Sequence, residues 1–311
     1  MDKAMNCNLC ARGCNTDREY KAGYCGMKNE IRIGRAALHM WEEPCISGST
    51  GSGTVFFSGC SLRCVFCQNY KISMKNVGKT VSVSELADTF VRLQDEGACN
   101  INLVTPTHFV PHITQALDKA KCRGLNIPVV YNTGTYDTVD TIKMLEGYVD
   151  IYLPDFKYMS SELSKRYSNA PDYSIVAKKA IGEMYRQVGM PEFVSAREAL
   201  REDVENAQST EEQMLMKKGM IVRHLVLPGC TEDSKEIIKY LYETYGDNIY
   251  ISIMNQYTPL STVGNIRELN RKVTQSEYDD VVDYALDIGV TNGFIQEGDT
   301  ALESFIPEFG E

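Results

Sequence analysis

Apolar residues fall into short runs separated by amphipathic stretches. "TVFFS" (54–58), "NINLVT" (100–105), "IPVVY" (127–131), "VDIYLP" (149–154), "MIVRHLVL" (220–227), "IYISIM" (249–254) and "GVTNGFIQ" (289–296) are short and rich in Val, Ile and aromatics, so they predict strands. Between them apolar positions recur at helical spacing. Ser82 opens a Ser-x-x-Glu capping box leading into "SELADTFVRLQDEG", and "VPHITQALDKAKCRG" has Pro111 early and Gly124 as its stop, so both predict helices. A further helix is expected near 137–146. Short strands alternating with helices imply an α/β fold, a parallel sheet with helical crossovers. Six or seven such units predict a barrel, complete or partial, with its chemistry at the C-terminal ends of the strands.

Two stretches break this rhythm. Residues 1–50 are rich in Cys, Gly and charge without sustained periodicity, which predicts a small metal-organised extension ahead of a barrel over 51–300. Residues 192–218 are strongly charged and predict a partly helical surface insertion, and 301–311 form a C-terminal tail. A chain of 311 residues is long enough for one large barrel. With 32 Lys and Arg against 42 Asp and Glu it lacks the basic footprint of a nucleic-acid binder. "MDKAMNCNLC" has no apolar signal core and no apolar run is long enough to span a membrane, so the expected location is the cytoplasm.

Eleven cysteines are many for such a compartment, where clustered thiols point to metal rather than to disulfides. Cys60, Cys64 and Cys67 are spaced C-x3-C-x2-C. Three thiolates satisfy three irons of a [4Fe–4S] cube and leave the fourth open to an exogenous ligand; a structural zinc site is the alternative. Cys7, Cys10, Cys14 and Cys25, followed by Gly26, read C-x2-C-x3-C-x10-C. They predict one further metal centre, zinc or a second [4Fe–4S] cluster with a slight lean to the cluster, with Cys45 able to replace one ligand. This unit is expected to order on its metal and the barrel site to survive without it. Cys99 and Cys122 read as packing residues.

"CSLRCVFC", with Phe66 just before the last cysteine, resembles the signature of radical S-adenosylmethionine (SAM) enzymes. Together with "NLVTPTH", "YNTGTYD", "LPDFK", "RHLVLPG" and "MNQYTP", most of the chain resembles the pyruvate formate-lyase activating enzyme-like branch, in a subgroup with an extra N-terminal cysteine motif. The resemblance implies a parallel partial (β/α)6 TIM-like barrel. It implies a cluster whose open iron is chelated by the SAM amino and carboxylate groups, and reductive cleavage of SAM to methionine and a hydrogen-abstracting 5′-deoxyadenosyl radical. Reduced flavodoxin or ferredoxin is the implied electron donor and a glycyl-radical enzyme the implied substrate. A peptide or small molecule is the alternative substrate, and a non-catalytic iron–sulfur electron carrier is the reading from another class.

The same resemblance assigns residues. Thr105, Thr107 and His108 stand where the branch has a Gly-Gly-Glu type turn for the SAM amino group, and the missing carboxylate is a departure. Asn132 and Thr133 match positions near the sulfonium and ribose. Asp155 and Lys157 share one strand face, so both are expected in the barrel mouth as catalytic residues; a plain ion pair is the alternative. Arg223 matches an arginine that grips the SAM carboxylate, for which a guanidinium is suited by its bidentate geometry. Phe66, Asn255 and Gln256 are expected beside the cofactor or substrate, and His224 faces away.

Overall fold

A computed structural model of the chain describes residues 7–196 and 213–296 and joins ten strands in one sheet. They are β1 (Ile31–His39), β2 (Ser52–Phe57), β3 (Lys79–Val81), β4 (Ile101–Val104), β5 (Val129–Thr133), β6 (Ile151–Pro154), β7 (Glu192–Ser195), β8 (Met214–Leu225), β9 (Tyr250–Met254) and β10 (Gly293–Ile295). The order is β10-β9-β8-β6-β5-β4-β2-β1-β3, with β7 paired to β8 off that path. β2, β4, β5, β6, β8, β9 and β10 run parallel. β1 is antiparallel to β2 and β3, and β7 to β8.

The fold is therefore a mixed partial barrel, and the purely parallel expectation is corrected. Parallel neighbours need a crossover, usually a helix, whereas β1 turns back onto β2 through only the short helix α1 (Pro44–Ser47). Ile31–His39, expected within an aperiodic extension, is a sheet strand. The expected insertion at 192–218 is mostly strand where it is described. Its flanks pair as strands, Phe193 opposite Met216 and Ser195 opposite Met214. Residues 197–212 of that insertion, and the 301–311 tail, lie outside the described residues.

The crossovers follow the sequence signals. After α2 (Tyr70–Ser73), α3 (Val83–Asp95) starts at Ser82 with both halves of the capping box formed to Glu85. It buries Leu86, Ala87, Phe90 and Leu93 on one stripe. Each such fully buried Leu or Phe contributes about 1.5–3 kcal/mol. α4 (Val110–Cys122) takes Pro111 in its first turn and is followed by Gly124 at φ +99°. α5 (Val139–Lys143), α6 (Ser161–Ser168), α7 (Tyr173–Val188), α8 (Thr231–Tyr245) and α9 (Gln275–Asp287) complete the outer layer. β4 and β6 are buried at every residue, as strands covered on both faces must be. Among the described residues no helix is long and apolar enough to cross a membrane.

Residues 7–30 contain no helix or strand, only a single bridge from Cys10 to Asp137. Two arginines hold them instead. Arg18, 5% exposed, donates to the carbonyls of Met27 (3.2 Å), His108 and Lys28. Arg12 donates to the carbonyls of Ser61 (2.7 Å), Leu62 (3.3 Å), Ser168 (2.6 Å) and Asn169, with its guanidinium 4.1 Å from the Tyr24 ring centroid. Backbone carbonyls around one buried and one half-buried guanidinium thus do what an apolar core does elsewhere.

Candidate active site

The C-terminal strand ends open onto a cavity of about 460 Å³. Into it come Cys60, Cys64, Phe66 and Cys67 from the loop after β2, Thr105 after β4 and Asn132 on β5. Asp155 and Lys157 after β6, Arg223 on β8 and Gln256 after β9 complete the predicted residues found there.

The cysteine loop is set by Gly59, whose φ of +87° is the left-handed region. A Cβ there would lie 2.4 Å from Met27 Cγ and 2.8 Å from the Cys25 carbonyl oxygen. Gly59→Ala should therefore cost about 2–5 kcal/mol, from overpacking plus the left-handed backbone penalty. Urea denaturation checks it, and unchanged stability would mean that this loop approaches the N-terminal unit less closely than described.

Each thiol has a donor aimed at it. The Leu62 amide meets Cys60 Sγ at 3.4 Å, the Ser168 hydroxyl meets Cys64 Sγ at 2.9 Å and the Ser73 hydroxyl meets Cys67 Sγ at 3.3 Å. Hydrogen bonds to sulfur are what an anionic thiolate cluster requires of its surroundings. Burial pushes the Cys60 thiol up to about 12 and Cys67 upward, and the neighbouring thiols add to both. Without metal they are protonated, so loading releases protons. Among the described residues no group of three or more His, Cys, Asp or Glu closes on a single ion position. A four-iron cube asks for something else, one thiolate at each of three separate irons, and three donor-supplied thiols on one cavity wall fit it. Phe66 is buried behind them, edge-on to Tyr158, Tyr167 and Tyr257 at 6.1–6.4 Å.

Opposite the thiols lies one charged network. Arg223 donates through Nε to Asp155 Oδ1 (3.0 Å), through Nη1 to Glu42 Oε2 (3.0 Å) and through Nη2 to Asn132 Oδ1 (2.6 Å). Lys157 Nζ bonds Asp155 Oδ2 at 2.7 Å. Burial would raise Asp155, but Lys157 and Arg223 prevail and hold its carboxyl below the usual range. Glu42 also accepts from Asn102 Nδ2 at 2.8 Å. Next to it, Glu43 is buried in the cavity wall with Oε2 lacking a partner among the described residues, and burial raises its carboxyl. Glu42 and Glu43 were missed from sequence. They lie beyond β1, ahead of the first strand that any C-terminal-end argument considers.

Arg223 is in the cavity, but its fork is engaged by Asp155, Glu42 and Asn132 rather than held out for a ligand. Four other expected positions are corrected, since they are not on the cavity wall. Thr133 follows Asn132 on β5, so alternation turns it to the other face. It meets Thr107 at a buried carboxylate: Asp137 accepts from Thr133 Oγ1 (2.7 Å), Tyr131 Oη (2.8 Å) and the Thr107 hydroxyl. Asn255 lies against Gln296, whose Oε1 takes its amide at 2.8 Å. His108 sits in a 3-10 turn (Thr107–Phe109), buried, with Nε2 2.6 Å from the Ser58 carbonyl. Thr105 remains on the wall at φ +57°, a left-handed conformation that costs a β-branched residue energy and is concentrated at functional sites. His224 faces away as expected, between the Phe156 carbonyl (2.7 Å) and Ser234 Oγ (2.8 Å).

Burial pulls His108 down to about 3 and His224 to about 4. Both are neutral when folded and charge on unfolding below about 6.5. Stability should therefore be intact above pH 6.5 and fall as pH drops towards 4. Denaturation midpoints of wild type and His108→Gln at pH 5 and pH 7 check this. The variant should show the shallower pH dependence, and an equal slope would remove His108 as a source.

A radical SAM superfamily profile matches residues 54–200. An uncharacterized protein of Methanocaldococcus jannaschii is 30% identical over 293 residues, covering 90% of this chain and 74% of that protein. Among solved structures, Streptococcus suis SuiB bound to precursor peptide SuiA is 15% identical with a TM-score of 0.49, over 78% of this chain and 47% of SuiB. This chain thus spans about half the length of that structure. Methylornithine synthase (PylB) is 13% identical with a TM-score of 0.39, over 76% of this chain and 68% of PylB.

Proposed function

The chain belongs to the radical SAM superfamily of enzymes, and we propose that its barrel mouth binds a [4Fe–4S] cluster and SAM to take a hydrogen atom from a peptide or small molecule. The observation that carries this reading is that Cys60, Cys64 and Cys67 share one cavity with Asn132, Asp155, Lys157 and Arg223. When bound, the pair supplies reductive cleavage of the sulfonium and the hydrogen-abstracting chemistry that follows. Cys60, Cys64 and Cys67 hold three irons and leave one open. Lys157 uses one of its three donors on Asp155, which leaves two to meet a ligand carboxylate. Asp155, held ionised, serves as acceptor and anchor rather than as a general base, which would need a carboxyl nearer neutrality. Arg223 positions Asp155, Glu42 and Asn132. Leu62, Phe66, Val104 and Leu225 give the mouth an apolar wall that excludes water.

A glycyl-radical protein, the substrate implied by the activating-enzyme resemblance, ranks second. The turn tied to that branch is replaced by Thr105-Pro106-Thr107, and Glu42 and Glu43 line the mouth. A plain electron carrier has no use for such a lining. Eleven free thiols suit a reducing cytoplasm, with reduced flavodoxin or ferredoxin as donor. The test is anaerobic reconstitution with iron and sulfide, addition of dithionite and SAM, and chromatography for 5′-deoxyadenosine. Protein with a full iron complement that leaves SAM intact would sink the reading.

A further inference from the structure

One acidic side chain in the cavity has no part in the charged network described above. Among the described residues three acidic groups line the cavity, Glu42, Glu43 and Asp155, against two cations, Lys157 and Arg223. Burial, then Arg35 and Arg223, pull His39 on the same wall down to about 4, so it adds no charge at neutral pH. Asp155 pairs with both cations and Glu42 with Arg223, while Glu43 has no ion pair among the described residues. Glu43 is only 9% exposed, and its Oε2 has no hydrogen-bond partner among the described residues. It is the N-cap of α1, yet its side chain accepts from none of the helix amides. An unanswered acidic group at that depth is costly in either protonation state. Burial raises its carboxyl, and a cation beside it is what would hold it ionised.

Glu43 also lies below the strand ends. Its carboxyl meets the Ser252 side chain, two positions before the end of β9. Glu42 beside it meets Asn102 (2.8 Å), two positions before the end of β4, and Arg223 (3.0 Å), two before the end of β8. At about 3.3 Å per residue this floor is roughly 7 Å beneath the rim. Alternation puts Val104 above Asn102, Leu225 above Arg223 and Met254 above Ser252 on the same faces, and all three upper residues line the cavity. The cavity thus runs from the thiols at the rim, past an apolar belt, to an acidic floor. An aliphatic stem ending in an ammonium group matches that order, with methylenes against the belt and N–H donors at the floor.

We propose that Glu43 receives the protonated primary amine of an aliphatic substrate and, with the apolar belt above it, sets which carbon of the stem faces the cluster. This rests on the barrel reading above, in which the hydrogen atom is taken at the rim. SAM is not the owner of that amine, because the same reading puts its amino and carboxylate groups on the open iron beside the cysteines. A free amine and a lysine side chain share this chemistry, and the size of what hangs on the stem tells them apart.

The probe is n-butylammonium, titrated calorimetrically into reconstituted, unreduced protein, with 1-butanol and butyrate as its neutral and anionic matches. The ammonium should bind, and the other two should bind at least about tenfold more weakly, since neither offers a charged donor to the floor. Equal affinity for the three, or none for the ammonium, would overturn the proposal without recourse to any variant. Glu43→Gln keeps the shape of the side chain and should lower ammonium affinity about tenfold or more. Unchanged ammonium affinity in that variant would remove Glu43 from the site and overturn the proposal. Binding to wild type should persist with SAM present; competition between the two would give the floor to the amino group of SAM and overturn the substrate assignment. Nα-acetyl-lysine methylamide bound more tightly than butylammonium assigns the amine to a peptide side chain, and weaker binding assigns it to a small molecule; either supports an ammonium at Glu43. Wild type that binds butylammonium but leaves SAM intact under dithionite would sink the barrel reading, and the substrate assignment with it. SAM cleavage without selectivity for the ammonium would sink this proposal alone.

Discussion

Cys64→Ala protein, prepared anaerobically and reconstituted, is expected to form no 5′-deoxyadenosine from SAM above background and to lose the iron of the barrel cluster. The cube would then have two protein ligands, and the Ser168 hydroxyl, 2.9 Å from Cys64 Sγ, would face a methyl group. The fold should persist, because the loop around Cys64 is held by other bonds. The Val65 amide reaches the Tyr167 carbonyl at 2.9 Å, and Arg12 keeps Ser61 and Leu62. Far-ultraviolet dichroism and thermal melting would therefore match cofactor-free wild type while the absorbance of the barrel cluster and SAM cleavage vanish. Retained turnover would remove Cys64 from the ligand set. Loss of folding as well would mean that the loop depends on its metal.

Much of the barrel was legible because its signals are local. The capping box at Ser82, Pro111 in the first turn of α4 and the strand runs each act within a few residues, and each formed where its chemistry predicts. Antiparallel β1 was not, since "IRIGRAALH" alternates only weakly and its partner, β2, lies across an intervening loop. The same distinction runs through the site. Asp155 and Lys157, placed by strand alternation, reach the cavity. Asn132 and Thr133 rested on the resemblance alone, and of those two Asn132 reaches it while alternation turns Thr133 away. Thr107 and His108 were placed by position in a turn, and the 3-10 turn rotates both into the interior. Glu42 and Glu43 enter the mouth from before the first barrel strand, which no period announces.

The N-terminal unit shows a further limit of local reading. It is poor in apolar residues, so its order was ascribed to metal alone and the barrel site was expected to be independent of it. Arg12 and Arg18 alter that. Their guanidinium groups bond carbonyls in the cysteine loop and at His108, so the extension and the barrel site share backbone contacts. Nothing in the spacing of two arginines reveals that their partners lie between about fifty and well over a hundred residues away, in segments that meet only in the folded chain.

Arg223→Ala should destabilise the protein even with no cofactor bound, by about 3–5 kcal/mol, the usual cost of stranding buried partners of a lost charge. Removing the guanidinium leaves Glu42 without its cation and frees Asn132 Oδ1, while Asp155 keeps only Lys157. Glu42→Gln in the Arg223→Ala background should recover part of the loss, because it removes one stranded charge, and a double-mutant cycle would read the coupling. Arg223→Lys should fall between them, since an ammonium keeps the charge but cannot serve three acceptors on a fixed planar fork. If instead Arg223 acts only by gripping SAM, cofactor-free Arg223→Ala would denature with wild type and only SAM affinity would suffer. Urea titrations of the cofactor-free variants separate the two, because the network described by the Asp155, Glu42 and Asn132 contacts exists before any ligand arrives.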